Sequence, residues 1–287
     1  MLVDIHTHLY GGRKTVANLL SHLDLYGGGK SVVLPIAGGE VTAVRDHAWP
    51  NEEALAAVDE KPGQVFAFCH VNPFDRNALE TISKLHATGK IKGLGEHKVK
   101  LPVDHPYSME MYRLCGELGL PVLIHFDYSD HHNYNFPAFE GVLKALPGTT
   151  FIGHAMAYWS NVSADADSDY KSPAFKDYPE GKVVRGGLTD RWLSDYPNLY
   201  GDLSATSGFN AMARDEEFGA EFLARHRKKL MWGSDCPCPE GKGMVQPNGK
   251  FRQCLSERML PVLRKLCSSK AHYEDITWHN AERLLKI

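Results

Sequence analysis

The chain opens on a short apolar run, LVDIHTH at 2–8, and seven further segments of the same kind follow. They are KSVVLPIA (30–37), VFAFCHVNP (65–73), IKGLGEHKV (91–99), PVLIHF (121–126), TTFIGHAM (149–156), LYGDLSA (199–205) and LMWGSDCP (230–237). Each is rich in β-branched and aromatic residues and nearly continuously apolar, the pattern of a strand buried on both faces. Between them, apolar residues recur at helical spacing. TVANLLSHLDLYG, NALETISKLHATG and SMEMYRLCGELG each end at glycine, where a left-handed helix terminus is wanted. Eight strand–helix units in one pass predict an α/β fold, a (β/α)8 TIM barrel. The rival, a doubly wound open sheet, normally carries a glycine-rich phosphate turn after its first strand, where this chain has His6, Thr7 and His8.

Two connections are longer than a barrel requires: residues 157 to about 190, and 236 to about 253. These long loops follow strands 6 and 8 at their C-terminal ends, where barrels build pockets. No internal repeat or low-complexity tract divides the chain, so one domain over residues 1–287 is expected.

Composition narrows the class. With 43% hydrophobic and 23% charged residues the chain resembles an ordinary globular protein, and no apolar run is long enough to span a bilayer. A net charge of −3 and the lack of a basic stripe beyond Arg225–Lys229, read as a solvated helix end, argue against nucleic acid as a partner. Met1 lies three residues before Asp4, which leaves no room for a secretory signal, so a cytoplasmic location is expected. The six cysteines lack the spacing of a disulfide scaffold. Cys236-Pro-Cys238 has no second pair and reads as incidental thiols.

Polar residues at strand ends change the picture most. His6, His8, His70, Glu96, His125, His154, Asp202 and Asp235 all fall near C-terminal strand ends, where a buried polar group is costly unless paired or used. One His-x-His pair proves little, since about one is expected by chance at this histidine content. In a closed barrel, however, these ends converge on one mouth, and i/i+2 spacing turns His6 and His8 to one side. Neutral imidazoles and carboxylates are the ligand set of Zn2+ or a similar divalent cation. Taken singly, Asp202 and His70 also read as partners of loop backbone, and Glu96 as half of an ion pair.

D-I-H-T-H at 4–8, L-I-H at 123–125, I-G-H at 152–154, G-S-D-C-P at 233–237 and H-N-A-E-R-L-L at 279–285 together resemble the amidohydrolase superfamily, most closely its amidohydrolase-related branch of hydrolases and decarboxylases. The resemblance implies that His6, His8 and Asp235 bind a buried metal, with Asp235 also accepting the proton of the attacking water. It implies that His125 and His154 bind a second metal or, in mononuclear members, that His125 completes the single site and His154 contacts substrate. Binuclear members bridge their metals from the fourth strand through a carbamylated lysine or a glutamate. Here Glu96 occupies that slot, ahead of Lys98 two residues on, so two metals per chain bridged by Glu96 are expected.

Metal-assisted hydrolysis of a small-molecule lactone, amide, ester or phosphoester follows as the expected activity, with Asp235 and His154 as catalytic residues. The mouth loops carry Tyr128, His131, His132, Tyr134, Tyr158 and Trp159 with the cations Lys171, Lys182 and Arg185, which suits a cyclic or aromatic substrate bearing a carboxylate or phosphate. His70, His131, Tyr158 and Arg185 are the substrate-binding candidates. The alternatives are a mononuclear decarboxylase of an aromatic or unsaturated acid, a nuclease, and a non-catalytic metal-binding barrel. Assembly into a homo-oligomer stays open.

Overall fold

A computed structural model describes residues 1–10, 13–36, 49–128, 131–167, 172, 175–246 and 248–287. Strands and helices alternate from the start: β1 (Leu2–Thr7), α1 (Val16–Asp24), β2 (Gly29–Val33), α2 (Asn51–Glu60), β3 (Val65–Cys69), α3 (Ala78–Ala87), β4 (Ile91–His97), α4 (Pro106–Leu118), β5 (Val122–His125) and α5 (Phe139–Ala145). The second half adds β6 (Phe151–His154), α6 (Met156–Ser160), α7 (Leu188–Asp195), β7 (Leu199–Asp202), α8 (Ala205–Ala213), α9 (Glu216–Arg225) and β8 (Leu230–Met231). After β8 come a small hairpin, β9 (Met244–Val245) and β10 (Phe251–Arg252), then α10 (Leu255–Leu266), α11 (Lys270–Glu274) and α12 (Asn280–Leu285).

β1 to β8 pair in chain order, each parallel to the next. The seam between β8 and β1 is closed by the Ile5 amide donating to the Trp232 carbonyl at 3.3 Å and the Asp235 amide donating to the His6 carbonyl at 2.8 Å. The architecture is therefore the predicted (β/α)8 barrel. The observed strands are shorter than the apolar runs at their C-terminal ends, because the ladder stops where the chain turns outward to present the mouth residues.

Two apolar layers separate inside from outside. An inner cluster joins Val3, Ile5, Val32, Phe68, Leu123, Ile152 and Met231, while Val33, Val65, Ala67, Ile124 and Leu230 pack outward against the helices. Ala281 and Leu285 of α12 close the inner cluster from below. The ion pair of Lys30 with Glu282, and Lys92 donating to the Lys286 carbonyl, pin that helix at the strand starts. The opposite end, where the strands finish, stays open to polar side chains.

The glycine of the I-G-H motif has a steric cause. A Cβ on Gly153 would stand 2.0 Å from the Tyr158 ring, which is itself fixed by its hydroxyl donating to the Tyr200 carbonyl at 3.1 Å. Gly153→Ala therefore overpacks a layer with no slack, and denaturant unfolding should show a loss of about 1–3 kcal/mol.

The Arg225–Lys229 run does lie at the end of α9 with Arg225 and Lys228 exposed, but its charges are paired rather than free. Arg225 pairs with Asp190, Arg227 and Lys228 with Asp275, and Lys229 donates to the carbonyls of Leu193 and Tyr196. Among the described residues no helix is long and apolar enough to cross a membrane. Ala37 of the second predicted strand and Lys171 lie outside the described residues.

Candidate metal centre

Strand alternation places most of the mouth residues directly. Leu123, Ile152 and Met231 belong to the inner cluster, so His125 and His154, two residues on, face the same interior one layer higher, and Asp235 follows Met231 by four. On β1 and β4 alternation alone would fail. The register of β1 against β2 shifts between Asp4 and Thr7, and that of β4 against β5 between Leu94 and His97. Such bulges re-aim side chains. Past the first, His6 and His8 turn inward together; past the second, Glu96 does.

The resulting geometry has two halves around one carboxylate. His6 Nε2 and His8 Nε2 lie 3.2 Å apart, and Glu96 Oε2 stands 3.8 and 3.4 Å from them. The other oxygen, Oε1, faces His125 Nδ1 at 2.5 Å and His154 Nε2 at 3.8 Å. Asp235 repeats the division: Oδ1 lies 3.9 and 3.6 Å from the His6 and His8 nitrogens, Oδ2 3.9 Å from His154 Nε2. Ligands about 2.1 Å from a tetrahedral ion sit about 3.4 Å apart, so the separations on the first half are those of a coordination shell.

Hydrogen bonds behind the centre orient the imidazoles. His6 Nδ1 meets Asp202 Oδ2 at 2.7 Å, His8 Nδ1 meets the Leu34 carbonyl at 2.7 Å, and His154 Nδ1 meets Ser204 Oγ at 2.9 Å. With the proton on Nδ1 of His6 and of His8, as the Asp202 and Leu34 acceptors favour, both Nε2 lone pairs would face each other across the space a cation would fill. Burial opposes the charge on Asp202, yet the His6 and His154 imidazoles hold its carboxyl well below the usual carboxylate range. Burial likewise opposes ionisation of Glu96, but Lys98 and His125 hold it well below that range. Glu96, Asp127 and Asp202 are buried carboxylates around one mouth, and such a concentration of negative charge calls for cations. The residues present thus fit divalent metal.

The amidohydrolase family profile matches residues 28–287. The chain belongs to the amidohydrolase family. No curated protein sequence matches it significantly. Among solved structures, a probable 2-pyrone-4,6-dicarboxylic acid hydrolase from Acinetobacter baumannii is similar at 14% identity and a TM-score of 0.61, over 100% of this chain and 99% of that one. Dihydroorotase from Campylobacter jejuni is similar at 16% and 0.60, over 100% and 83%. 2,6-Dihydroxybenzoate decarboxylase from Rhizobium is similar at 13% and 0.54, over 99% and 98%. Members of this superfamily usually bind divalent metal, in keeping with the clusters at the mouth.

Other residues singled out from the sequence divide between mouth, core and surface. His131 is exposed and lines a cavity of about 260 Å³ beside the centre, with Asp127, Tyr128, Met156, Phe175 and Asp177. Tyr158 is no pocket residue: its ring is fully buried among Phe126, Phe136 and Trp159. Arg185 sits at the surface, ion-paired with Glu221, and the exposed Lys182 pairs with Asp215, so neither cation is brought to the histidines. Lys98 lies just past β4; Glu96, not Lys98, stands between the two histidine pairs.

Several mouth residues carry no sequence signal of their own. Trp49, held by paired hydrogen bonds to Ile36, packs on His8 with ring centroids 4.7 Å apart, and Tyr10 packs on Trp49. Asp127 stands 3.3 Å from His125 Nε2 and 2.7 Å from His132 Nδ1. Arg252 on β10 lies within electrostatic reach of Tyr10 and Tyr178.

His70 is buried behind the centre, its ring 5.5 Å from that of His97, with its backbone clasped by Asn51. Burial pushes His70 down to about 4 and His97 well below the ordinary imidazole range. As pH falls below about 6.5 the imidazoles of the unfolded chain become charged, whereas that of His70 stays neutral in the folded chain down to about 4 and that of His97 is likewise held neutral by burial. Their contribution to stability is complete above about pH 6.5 and is lost as pH falls toward 4, by about 2 kcal/mol for His70 between pH 7 and 5. Urea unfolding across that window should show the fall, and His97→Phe should make it shallower.

Proposed function

We propose that this amidohydrolase is a metal-dependent hydrolase of a small-molecule lactone, amide or ester, built on a two-metal centre for which Zn2+ is the fitting ion. The observation that carries this reading is the division of Glu96: one oxygen toward His6 and His8, the other toward His125 and His154. When bound, divalent ions supply Lewis acidity toward a carbonyl and an acidified water at neutral pH.

The chain's own residues do the rest. The Asp235 side chain is 25% exposed, whereas those of His6, His8 and Glu96 are 3% or less, so it is the carboxylate of the cluster that a substrate meets. Asp235 takes the proton of the attacking water at a carboxylate oxygen and returns it to the leaving group. His154, held through Nδ1 by Ser204 and Asp202, points Nε2 at the same place. The walls formed by Tyr128, Met156 and Phe175 suit a compact ring, and Arg252, within electrostatic reach of Tyr10 and Tyr178, and Lys98, within reach of Glu96 and His125, are cations toward which an acidic substituent would be drawn.

The test is turnover on a panel of lactones, cyclic amides, esters and phosphoesters before and after chelation. Chelation should abolish hydrolysis, leave the far-UV spectrum intact and be reversed by Zn2+. Hydrolysis that survives complete removal of metal would refute the reading.

A further inference from the structure

Cys236-Pro-Cys238 follows Asp235 directly, and in the fold it is not alone. Cys254 Sγ lies 3.8 Å from Cys236 Sγ, and His22 Nε2, from α1, lies 3.4 Å from Cys254 Sγ. We propose that Cys236, Cys238, Cys254 and His22 form a second, closed metal site, a Cys3His structural centre for a thiolate-preferring divalent cation such as Zn2+, which ties the β9–β10 hairpin to α1.

The donor set and its spacing carry the argument. Zinc–sulfur bonds of about 2.3 Å in a tetrahedron place sulfurs about 3.8 Å apart, the separation of Cys236 and Cys254. His22, Cys238 and Cys254 bring their donor atoms within 4.8 Å of one another, while Cys236 Sγ, close to both sulfurs, stands farther from His22 and would move in to complete the tetrahedron. Cys236 and Cys238, at 2.7 Å, stand closer than a tetrahedral edge and would part by about 1 Å around an ion. Ser256 Oγ approaches His22 Nε2 at 2.9 Å and would yield that nitrogen to the cation.

All four donors are at most 3% exposed, so the site is shut to solvent as structural centres are and catalytic ones are not. Buried thiols alone could be small apolar fillers beside Leu255 and Met244. Two surroundings argue otherwise. Gly241, at φ +70°, lets the loop lie on the His22 ring, since a Cβ there would stand 2.7 Å from Cδ2. The Lys14 ammonium, 1% exposed, donates to the Cys236 carbonyl at 3.0 Å. A buried ammonium needs negative charge nearby; Asp4 lies within its electrostatic reach, and three thiolates around one divalent ion would add a net −1 beside the Cys236 carbonyl it holds.

The site also has a task. β9 and β10 have two residues each, and Val245 and Phe251 are both 64% exposed, so the hairpin has little packing of its own. A metal joining Cys238 to Cys254 would close the loop at its base and fix Arg252 near Tyr10 at the mouth. Asp235 and Cys236 thus hand consecutive residues to two different centres.

X-ray absorption at the zinc edge tests this on the wild-type chain, purified without chelator and loaded with Zn2+ alone. Sulfur scattering at about 2.3 Å is expected, and it belongs to this site because the clustered ligands of the mouth, among the described residues, are imidazoles and carboxylates. Cys254→Ser should lose about one zinc per chain together with much of that signal. Should the variant not fold, the wild-type spectrum still decides. No zinc–sulfur scattering, a Cys236–Cys238 disulfide in the zinc-loaded protein, or three thiols that alkylate freely without unfolding would each overturn the proposal.

Discussion

Asp235→Asn should lower kcat/KM by about 10³-fold, within the range of 10² to 10⁴ that a positioned proton acceptor contributes, while leaving the barrel folded. Asp235 has φ +44°, a left-handed conformation that few side chains accept but that Asn shares with Asp. The backbone is therefore kept while the charge is lost. An amide can accept a hydrogen bond through its oxygen, but it cannot take the proton of a water and return it. The measurement is steady-state turnover of whichever ester or lactone the wild type cleaves, with the unfolding midpoint as control. A folded variant within about threefold of wild type would remove Asp235 from that role.

Glu96→Gln acts on the centre itself. Oε1 stands between His125 and His154 and Oε2 beside His6 and His8, so a bridging carboxylate serves both halves. Glutamine keeps one oxygen and replaces the other with an amide nitrogen that has no lone pair to give a metal. Whichever half receives the nitrogen loses a ligand and a negative charge. Metal content by inductively coupled plasma mass spectrometry should fall by about one ion per chain, with turnover falling alongside. The cysteine site should keep its ion in this variant, which separates the two centres. Unchanged content and unchanged turnover would place Glu96 outside the shell.

Why some of this was legible in the sequence and some was not has a physical basis. The eight strands were readable because a strand buried on both faces must be apolar throughout, and His125, His154 and Asp235 stood out as polar breaks at the ends of such runs. Where the period of two holds without interruption, as from Leu123 to His125, the sequence also tells which way the side chain points. The bulges in β1 and β4 are invisible locally, since they arise from register against a neighbour. Residues acting through distant partners were equally hidden. Asp202 reads as a loop-capping carboxylate until the fold sets it against His6 and His154, 196 positions away in the case of His6.

Tyr158 and Arg185 show the opposite error. Aromatic and cationic residues in a long loop look like pocket walls, but Tyr158 fills the space that Gly153 leaves open and Arg185 finds Glu221 on α9. Cys236 and Cys238 looked incidental for the same reason that Asp202 looked ordinary: only the fold brings Cys254 beside Cys236, and beside Cys254 it brings His22, 232 positions earlier.

The measurement that bears most directly on the central claim is anomalous diffraction at the zinc edge from crystals of the loaded wild-type protein. Two peaks about 3.5–4 Å apart at the mouth, one beside His6 and His8 and one beside His125 and His154 with the Glu96 carboxylate between them, are predicted. A single mouth peak at His6, His8 and Asp235, with no density on the far side of Glu96, would contradict the two-metal centre.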